Sequence, residues 1–521
     1  MPGYPRPSSN EAVALGEICV VAHAVRRAGP SDEVAVRGVT HDSSRVRPGD
    51  LYVALQGANR HGAEFVPGAV AAGAVAVLTD ERGAASLASG AGATVPVLVT
   101  ADPRAVLGEV AARVYGDPTA QLTVIGITGT AGKTSTAYLV EAGLAAAGHV
   151  TCMVGTVETR IAGEVLDSVR TTPEATDLHA LLAAARERGA TAAVMEVSSH
   201  ALVYGRVGGV HFDVGGYTNF GQDHLDFHPD VEDYFAAKAR LFDGRCRAEV
   251  LNLDDPAVRR LIRPTSVTYS ATGDPTATWA ATRVAQHGFR QSFTAVHPRH
   301  GSVEVSVALP GQHNVANALL ALACLVEAGV SPAVAARGIG ECRGVPGRLE
   351  LVAAPGPVLG VVDYAHKPDA IVAALAALRE VAAGGRLIAV IGAGGDRDRG
   401  KRPLMGEAAA RGADLVVVTD DNPRSEDPAS IRAEVLAGTR AALAGERVSA
   451  AISGERVIEV AGRREAIAAA VALAGPGDVI AVLGKGHERG QEVAGVVTTF
   501  DDRVELAEAL RQRFTPVEVG P

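Results

Sequence analysis

The segment that most restricts how this chain can fold is the apolar strand Thr123–Thr128 together with the loop and helix after it. The strand runs directly into Gly129-Thr130-Ala131-Gly132-Lys133-Thr134, and an Ala- and Leu-rich helical stretch comes next. A strand feeding a glycine loop that opens a helix is half of a βαβ unit, and such units build parallel sheets with helices on their faces. Glycines let the backbone approach an anion closely, and the unpaired N–H groups of the first helical turn favour it. Lys133 can then neutralise charge at the β/γ-phosphates of a nucleotide, and the Thr134 hydroxyl can ligate Mg2+. The spacing departs from G-x-x-x-x-G-K-[ST], because Ile127 stands five residues before Gly132.

The same alternation recurs along the chain. Between about 34 and 100, apolar stretches at 51–55 and 74–78 alternate with Gly- and Ala-rich helical ones, as in a small α/β domain. Gly116-Asp117-Pro118 reads as a linker. Strands and helices then alternate to about 345, ending in an Ala/Leu-rich helix around 314–328, and a Gly/Pro cluster at 344–347 marks the next boundary. A third block has apolar strands at 358–363, 387–391, 415–419 and 479–483, separated by Ala-rich helical stretches. Three α/β domains are therefore expected, at 1–117, 118–346 and 347–521, in keeping with roughly 150 residues per domain. No fixed-period repeat is present. Unusual polar residues come directly after many of these strands, and open parallel sheets bind ligands at the carboxyl ends of their strands. The pattern predicts one site built between two domains.

Composition narrows the class. A formal net charge of −10 argues against a general nucleic-acid binder while leaving room for a local phosphate pocket. With 47% hydrophobic and 21% charged residues the chain has ample core. The long uncharged stretches 65–79 and 83–101 are broken by Gly, Pro, Ser and Thr, so no membrane insertion is expected. Pro2, Pro5, Pro7 and Glu11 do not form a secretory leader. Five cysteines without a C-x-x-C pair fit reduced thiols in a cytoplasmic protein, expected to be a monomer. Of 49 basic residues only Lys133, Lys238, Lys367, Lys401 and Lys485 are lysines. In so Arg-rich a chain a retained lysine points to work that suits a compact ammonium or an amine.

Further motifs sit at strand ends. Met195-Glu196-Val197-Ser198-Ser199-His200 and Asp223-His224-Leu225-Asp226-Phe227-His228 place Glu196 and His224 where they can serve Mg2+, although a capping or core histidine reads equally well for His224. A Ser–His hydrolase is the weaker alternative, since Ser198 lacks the G-x-S-x-G elbow. Gly392-Ala393-Gly394-Gly395-Asp396-Arg397 fails the dinucleotide fingerprint at Arg397, but Arg397, Arg399, Lys401 and Arg402 form a basic cluster suited to carboxylate or phosphate. Asp420-Asp421-Asn422-Pro423-Arg424 and Gly484-Lys485-Gly486-His487-Glu488 suit a zwitterion, with Arg424 forking onto a carboxylate and Glu488 taking an ammonium.

From about Asp42 to Arg503 the chain resembles the Mur ligases, the ATP-dependent amino-acid-adding enzymes of peptidoglycan synthesis. The motifs that carry this are T-G-T-A-G-K-T (128–134), T-T-P (171–173), M-E-V-S-S-H (195–200), T-N-F-G-Q-D-H-L-D-F-H (218–228) and A-A-K (236–238). They continue with G-Q-H-N-V-A-N (311–317), G-R-L-E (347–350), D-Y-A-H-K-P-D (363–369), G-G-D-R-D-R-G-K-R (394–402), D-N-P-R (421–424) and G-K-G-H-E (484–488). The resemblance implies an N-terminal UDP-binding domain, a central ATPase domain and a C-terminal Rossmann-like domain. It implies that Gly129, Thr130, Gly132, Lys133, Thr134, Ser135, Asn317, Arg348 and Asp363 contact ATP, and that Thr134, Glu196, His224 and Lys238 serve Mg2+, with Lys133, Lys238, Glu196 and His224 as the catalytic set. It also implies carbamylation of Lys238 to N6-carboxylysine. Ser43 and Ser44, within 42–45, would lie near the UDP, and Thr171, Thr172, Ser198 and Arg206 would contact the muramoyl dipeptide. Arg397, Asp421, Asn422, Pro423, Arg424, Gly484 and Glu488 would receive a diamino acid.

The implied substrates are UDP-N-acetylmuramoyl-L-alanyl-D-glutamate, diaminopimelate and ATP, joined through an acyl phosphate with release of ADP and phosphate. Two positions depart from the family pattern: Asp42-Ser43-Ser44-Arg45 stands where D-S-R is common, and Tyr204 where a Gln is expected. Two other classes stay open at this point. One is a different ATP-dependent amide ligase, such as a folylpolyglutamate synthetase or a lysine-adding muramyl ligase. The other is a nucleotide-binding regulator without activity. The meso and LL isomers of diaminopimelate are not distinguished.

Overall fold

Every residue of the strand Leu387–Ile391 is buried in the computed structural model of the chain, which describes residues 3–28, 34–88, 94–444 and 456–515. The strand feeds two cores by parity. Leu387, Ala389 and Ile391 join one with Leu375, Leu378 and Met405, whereas Ile388 and Val390 join another with Ile467, Val471 and Leu506. Val479–Leu483 and Leu415–Val418 divide in the same way. A strand buried on both faces needs a continuous apolar run, which is what a parallel sheet covered by helices demands.

The chain divides into two compact units. One comprises Met1–Ala280, Ala295–Val303 and Asn317–Ile339, the other Ala281–Thr294, Glu304–Ala316 and Gly340–Pro521. In the second unit six strands lie in the order Glu350–Val352, Leu359–Asp363, Val479–Leu483, Leu387–Ile391, Leu415–Val418, Val457–Glu459. All neighbours are parallel except the first pair. Pro368–Ala382, Lys401–Gly412 and Pro428–Ala444 supply residues to one core, and Arg463–Leu473 and Asp502–Phe514 to the other. The carboxyl ends at Asp363, Ile391, Val418 and Leu483 therefore share one edge.

The first unit carries the two-stranded pairing of Val13–Ala14 with Ala35–Val36 and two larger sheets. In the smaller, Val25–Ala28, Val97–Val99, Ala76–Thr79, Asp50–Val53 and Gly38–Thr40 are neighbours in that order. Leu51 and Val53 face one core, Tyr52 and Ala54 another. The linker signal at 116–118 is a real turn, with Gly116 at φ +71° and Asp117 at φ +48° before the short helix Pro118–Gln121. Over its first eight strands the larger, eleven-stranded sheet has the order Glu164–Leu166, Thr159–Ile161, Thr151–Val154, Ala192–Glu196, Thr123–Thr128, Phe212–Tyr217, Cys246–Asn252, Val267–Ser270. Parallel register sets Glu196 beside Ile127 and Tyr217 beside Thr128, so three motif-bearing loops leave from adjacent strand ends.

The expected strand–helix alternation up to 345 is interrupted. Trp279–His287, Arg290–His297 and Gly301–Val307 are three successive strands. Arg283, Gln286, Arg290 and other polar residues fall between the apolar ones there, a pattern that suits strands with one wet face. The strand Val457–Glu459 and the hairpin of Gly490–Val493 with Val496–Thr499 are also additional to the elements expected from sequence. Among the described residues no helix is long and apolar enough to cross a membrane.

Candidate active site

Gly129 and Gly132 take φ +138° and +85°, values that favour glycine. A Cβ on Gly129 would strike the Thr218 hydroxyl, and one on Gly132 the Asn317 amide oxygen. The loop is thus pressed between the end of Phe212–Tyr217 and Asn317 of the helix Gln312–Glu327. Lys133 Nζ donates to Gly129 O at 2.8 Å and Thr130 O at 3.0 Å, folding its ammonium back over the loop. Thr134 and Ser135 are buried in the first turn of Lys133–Ala146.

Glu196 ends its strand 1% exposed. Its carboxylate accepts the Thr156 N–H at 2.7 Å, the Thr156 hydroxyl at 3.1 Å and the Thr134 hydroxyl at 3.1 Å. Adjacent ligands of an octahedral ion with bonds near 2.1 Å lie about 3 Å apart, so Thr134 Oγ1 and Glu196 Oε2 have the spacing and the oxygen chemistry that Mg2+ prefers. Among the described residues no group of three His, Cys, Asp or Glu forms a metal cluster.

Lys238, 1% exposed, comes from the helix Val231–Ala239. Its Nζ donates to Gly129 O at 2.8 Å and lies 4.6 Å from the centre of the Tyr234 ring, so both motif lysines meet at one carbonyl. His224 is 44% exposed at φ +53°, with Nε2 3.4 Å from Asp223. It belongs to a ring cluster in which His200 stacks on Phe227 at 4.0 Å and meets His224 edge-on at 5.0 Å. Burial, with His228 nearby, lowers the His200 pKa. His228 is buried between Asp233 at 2.7 Å and Ser199 at 3.0 Å.

The residues expected at the dipeptide also gather near Glu196. Thr171 Oγ1 lies 3.0 Å from Thr156 Oγ1, and the Thr172 hydroxyl donates to Glu196 O at 2.8 Å. Ser198 caps the helix Ser199–Val203 by accepting the Ala201 N–H at 3.2 Å. Arg206 pairs with Glu174 at 2.8 Å, and burial lowers its pKa. Tyr204, the departure from the pattern, lies under the guanidinium groups of Arg104 and Arg206 at 5.6 and 5.4 Å. Ser43 and Ser44 form a single helical turn capped by Asp42, which accepts the Ser44 N–H at 2.9 Å and hydroxyl at 2.7 Å.

In the second unit, Arg348 lies over the Tyr364 ring at 4.6 Å. Asp363 accepts the Leu349 and Ala365 N–H groups, each at 2.7 Å. Burial pushes the Asp363 carboxyl up, and Arg348 pulls it back in part. The loops after Ile391 and Val418 dock closely, with Gly395 N–H donating to Asn422 O at 2.9 Å. A Cβ on Gly395 would strike Pro423 O, which explains the glycine-rich stretch without a dinucleotide. Arg424, at φ +53°, donates from Nη1 to Gly395 O at 2.6 Å and lies 3.6 Å from Glu492. Asn422 donates to Glu488 Oε2 at 2.9 Å. Gly484, at φ +118°, lies beside Asp421. Arg397 is exposed at the mouth of its loop.

Two readings of single residues change. The expected basic cluster is partly turned inward: Arg402 is fully buried, paired with Glu426 at 2.7 Å and Glu434 at 3.0 Å, and Arg399 also reaches Glu434. Asp421 is 8% exposed and faces Lys485, so its carboxylate supports the loop. Thr156 is a site residue that sequence reasoning misses, because a lone Thr after Gly155 carries no signal until Glu196 is placed beside it.

The profile "Mur ligase family, catalytic domain" matches residues 35–115, "Mur ligase middle domain" 127–325 and "Mur ligase, glutamate ligase domain" 347–486. The UDP-N-acetylmuramoyl-L-alanyl-D-glutamate–2,6-diaminopimelate ligase of Streptomyces avermitilis is 51% identical over 516 residues, covering 98% of this chain and 99% of its own. The protein of the same name from Corynebacterium efficiens is 47% identical, covering 98% and 97%. A solved structure of a ligase of that name superposes with a TM-score of 0.70 at 33% identity, over 96% of this chain and 99% of the other. A Mycobacterium tuberculosis folylpolyglutamate synthase, at 20% identity and TM-score 0.56, shares the fold. Three matched profiles and relatives about half identical over nearly the whole length show that this chain belongs to the Mur ligase family.

Proposed function

We propose that this chain is an ATP-dependent ligase that joins 2,6-diaminopimelate to UDP-N-acetylmuramoyl-L-alanyl-D-glutamate in cytoplasmic cell-wall precursor synthesis. The observation that carries it is the acceptor–donor set at the carboxyl edge of the second unit. There Glu488 offers a carboxylate to an ammonium, and Arg424 a guanidinium to a carboxylate, on loops tied together through Asn422 and Glu492. A diamino acid with a distal carboxylate needs both. We assign three domains, 1–117, 118–346 and 347–521, a division supported by three separate profile matches at 35–115, 127–325 and 347–486.

The mechanism rests on the charges. A D-glutamyl carboxylate oxygen attacks the γ-phosphorus of ATP, the bond to the β-phosphate oxygen breaks, and ADP leaves. The diaminopimelate amine then attacks the acyl carbon, and a tetrahedral intermediate collapses with loss of phosphate to give the amide. The loop 129–132 and Lys133 receive the triphosphate, and Lys133 would exchange its carbonyl partners for phosphate oxygens. Thr134 and Glu196, with His224 and a carbamylated Lys238 nearby, would hold Mg2+, which supplies charge neutralisation at the transferring phosphoryl group. Asn317, Arg348 and Asp363 contact the rest of the nucleotide. Ser43, Ser44, Thr171, Thr172, Ser198 and Arg206 orient the nucleotide-linked dipeptide. Positioning and electrostatics do most of the work.

The test is an omission series. Phosphate release should require ATP, Mg2+, the dipeptide substrate and diaminopimelate together, with ADP as co-product. Release of AMP and pyrophosphate, or turnover without the dipeptide, would overturn the reading.

A further inference from the structure

Lys485 is fully buried, yet it lies within the block that the proposed function assigns to the diamino acid. Its ammonium faces three acceptors: Asn422 Oδ1 at 2.9 Å, Glu488 Oε2 at 3.3 Å and Asp421 Oδ1 at 3.5 Å. An ammonium has three donors and no acceptor, so it dictates the polarity of whatever it touches. Asn422 Oδ1 also accepts the Glu492 N–H at 3.0 Å. With two donors aimed at it, that end of the amide must be the oxygen. The NH2 end then points to Glu488 Oε2, at 2.9 Å. Glu488 Oε2 thus receives two donors, from Asn422 and Lys485, while Oε1 has no hydrogen-bond partner among the described residues. The Glu488 side chain is 35% exposed, and Oε1 is the oxygen whose acceptor capacity is left for a ligand.

We infer that Lys485 is a positioning residue for amino-acid specificity: it fixes the Asn422 amide, which with it pins Glu488 Oε2 and leaves Oε1 to take the ammonium of the incoming diamino acid. The inference rests on the proposed function for the identity of that ligand. It accounts for a lysine retained in an Arg-rich chain. Three acceptors surround one nitrogen within 3.5 Å, a geometry that a tetrahedral ammonium meets and a planar guanidinium does not. It also accounts for two carboxylates, Asp421 and Glu488, standing on one loop cluster. Lys485 sets one positive charge between the two carboxylates, 3.5 Å from Asp421 and 3.3 Å from Glu488, so the trio keeps a net negative charge for the incoming ammonium. The guanidinium of Arg463, also buried, is engaged by Asp502 at 2.6 Å and cannot substitute.

The measurement is steady-state kinetics on the full-length protein, with the KM of each substrate determined separately for wild type, Lys485→Met, Asn422→Ala and the double variant. Met keeps the apolar stem and removes the donors. The expected result for Lys485→Met is a rise of about tenfold or more in the KM for diaminopimelate, with the KM values for ATP and the dipeptide within about twofold of wild type. In the Asn422→Ala background the same substitution should raise the diaminopimelate KM by clearly less than it does in wild type, because only the direct Lys485 contact to Glu488 is left to lose. Lys485→Gln returns a donor to Asn422 and should recover part of the loss. It also serves as the primary variant if Lys485→Met does not fold. Equal shifts in all three KM values, or fully additive effects in the double variant, overturn the inference. If wild type does not use diaminopimelate at all, the proposed function fails first. If wild type uses it and Lys485→Met and Lys485→Gln keep its KM, only the role of Lys485 fails.

Discussion

Replacing Arg424 by alanine should abolish most of the preference for diaminopimelate over lysine. The two amino acids differ by one distal carboxylate, so the discriminating group must be one that binds that carboxylate. Arg424 spends one Nη1 donor on Gly395 O at 2.6 Å and holds Nε 3.6 Å from Glu492, which leaves the outer N–H groups of its fork for a ligand. Truncating one partner of a desolvated, hydrogen-bonded charge pair costs about 2–5 kcal/mol. The Arg424 side chain is 24% exposed, so the lower part of that range applies. At about 1.4 kcal/mol per factor of ten, a loss of about 2–3 kcal/mol is roughly 30- to 150-fold in the ratio of kcat/KM values. Arginine already occupies φ +53° here, and alanine has the same Cβ, so the substitution adds no backbone strain of its own. The assay compares kcat/KM for diaminopimelate and lysine in wild type and Arg424→Ala. Equal use of both by wild type, or unchanged selectivity in the variant, would refute the assignment.

The same geometry sets other outcomes. Glu196→Gln keeps an acceptor for the Thr134 and Thr156 hydroxyls, sets an amide NH2 against the Thr156 N–H and removes the charge, so the Mg2+ concentration for half-maximal activity should rise by about tenfold or more; an unchanged Mg2+ titration would separate Glu196 from the metal. Lys238, held beside Gly129 O, should give a carbamate carbon signal with labelled bicarbonate that vanishes in Lys238→Ala; a silent wild type together with a fully active Lys238→Arg would exclude the modification. Burial pulls His179, His313, His366 and His487 from 6.5 down to about 4. Between those values the unfolded chain binds protons that the folded one does not, so stability is full above about pH 6.5 and falls as the pH drops toward 4. The urea midpoint should decline across that window, less steeply in His179→Gln, and a midpoint that stays flat would contradict the assignment.

The parts of the fold legible in the sequence are those set by local pattern. Runs such as Leu387–Ile391 and Val479–Leu483 are apolar at every position because both faces are buried, and Gly129 and Gly132 announce a loop that other residues cannot form. The features hidden from a sequence reading depend on pairing distant in the chain. Nothing local in Val479–Leu483 says that it lies between Leu359–Asp363 and Leu387–Ile391. Arg402 reads as one cation of a surface cluster until Glu426 and Glu434 are brought to it. Thr156 reads as an ordinary loop residue until Glu196 accepts from it twice. Motif residues at strand ends are visible because chemistry restricts their type, whereas their supports become visible only in three dimensions.

The most direct test of the account uses dipeptide substrate labelled with 18O in both carboxylates of the D-glutamyl residue. Formation of an acyl phosphate transfers one carboxylate oxygen to phosphorus, and collapse of the tetrahedral intermediate releases it in inorganic phosphate. Turnover with ATP and diaminopimelate should give one 18O atom per phosphate released, in step with the new amide and ADP. Unlabelled phosphate accompanying full product formation would contradict activation of a D-glutamyl carboxylate.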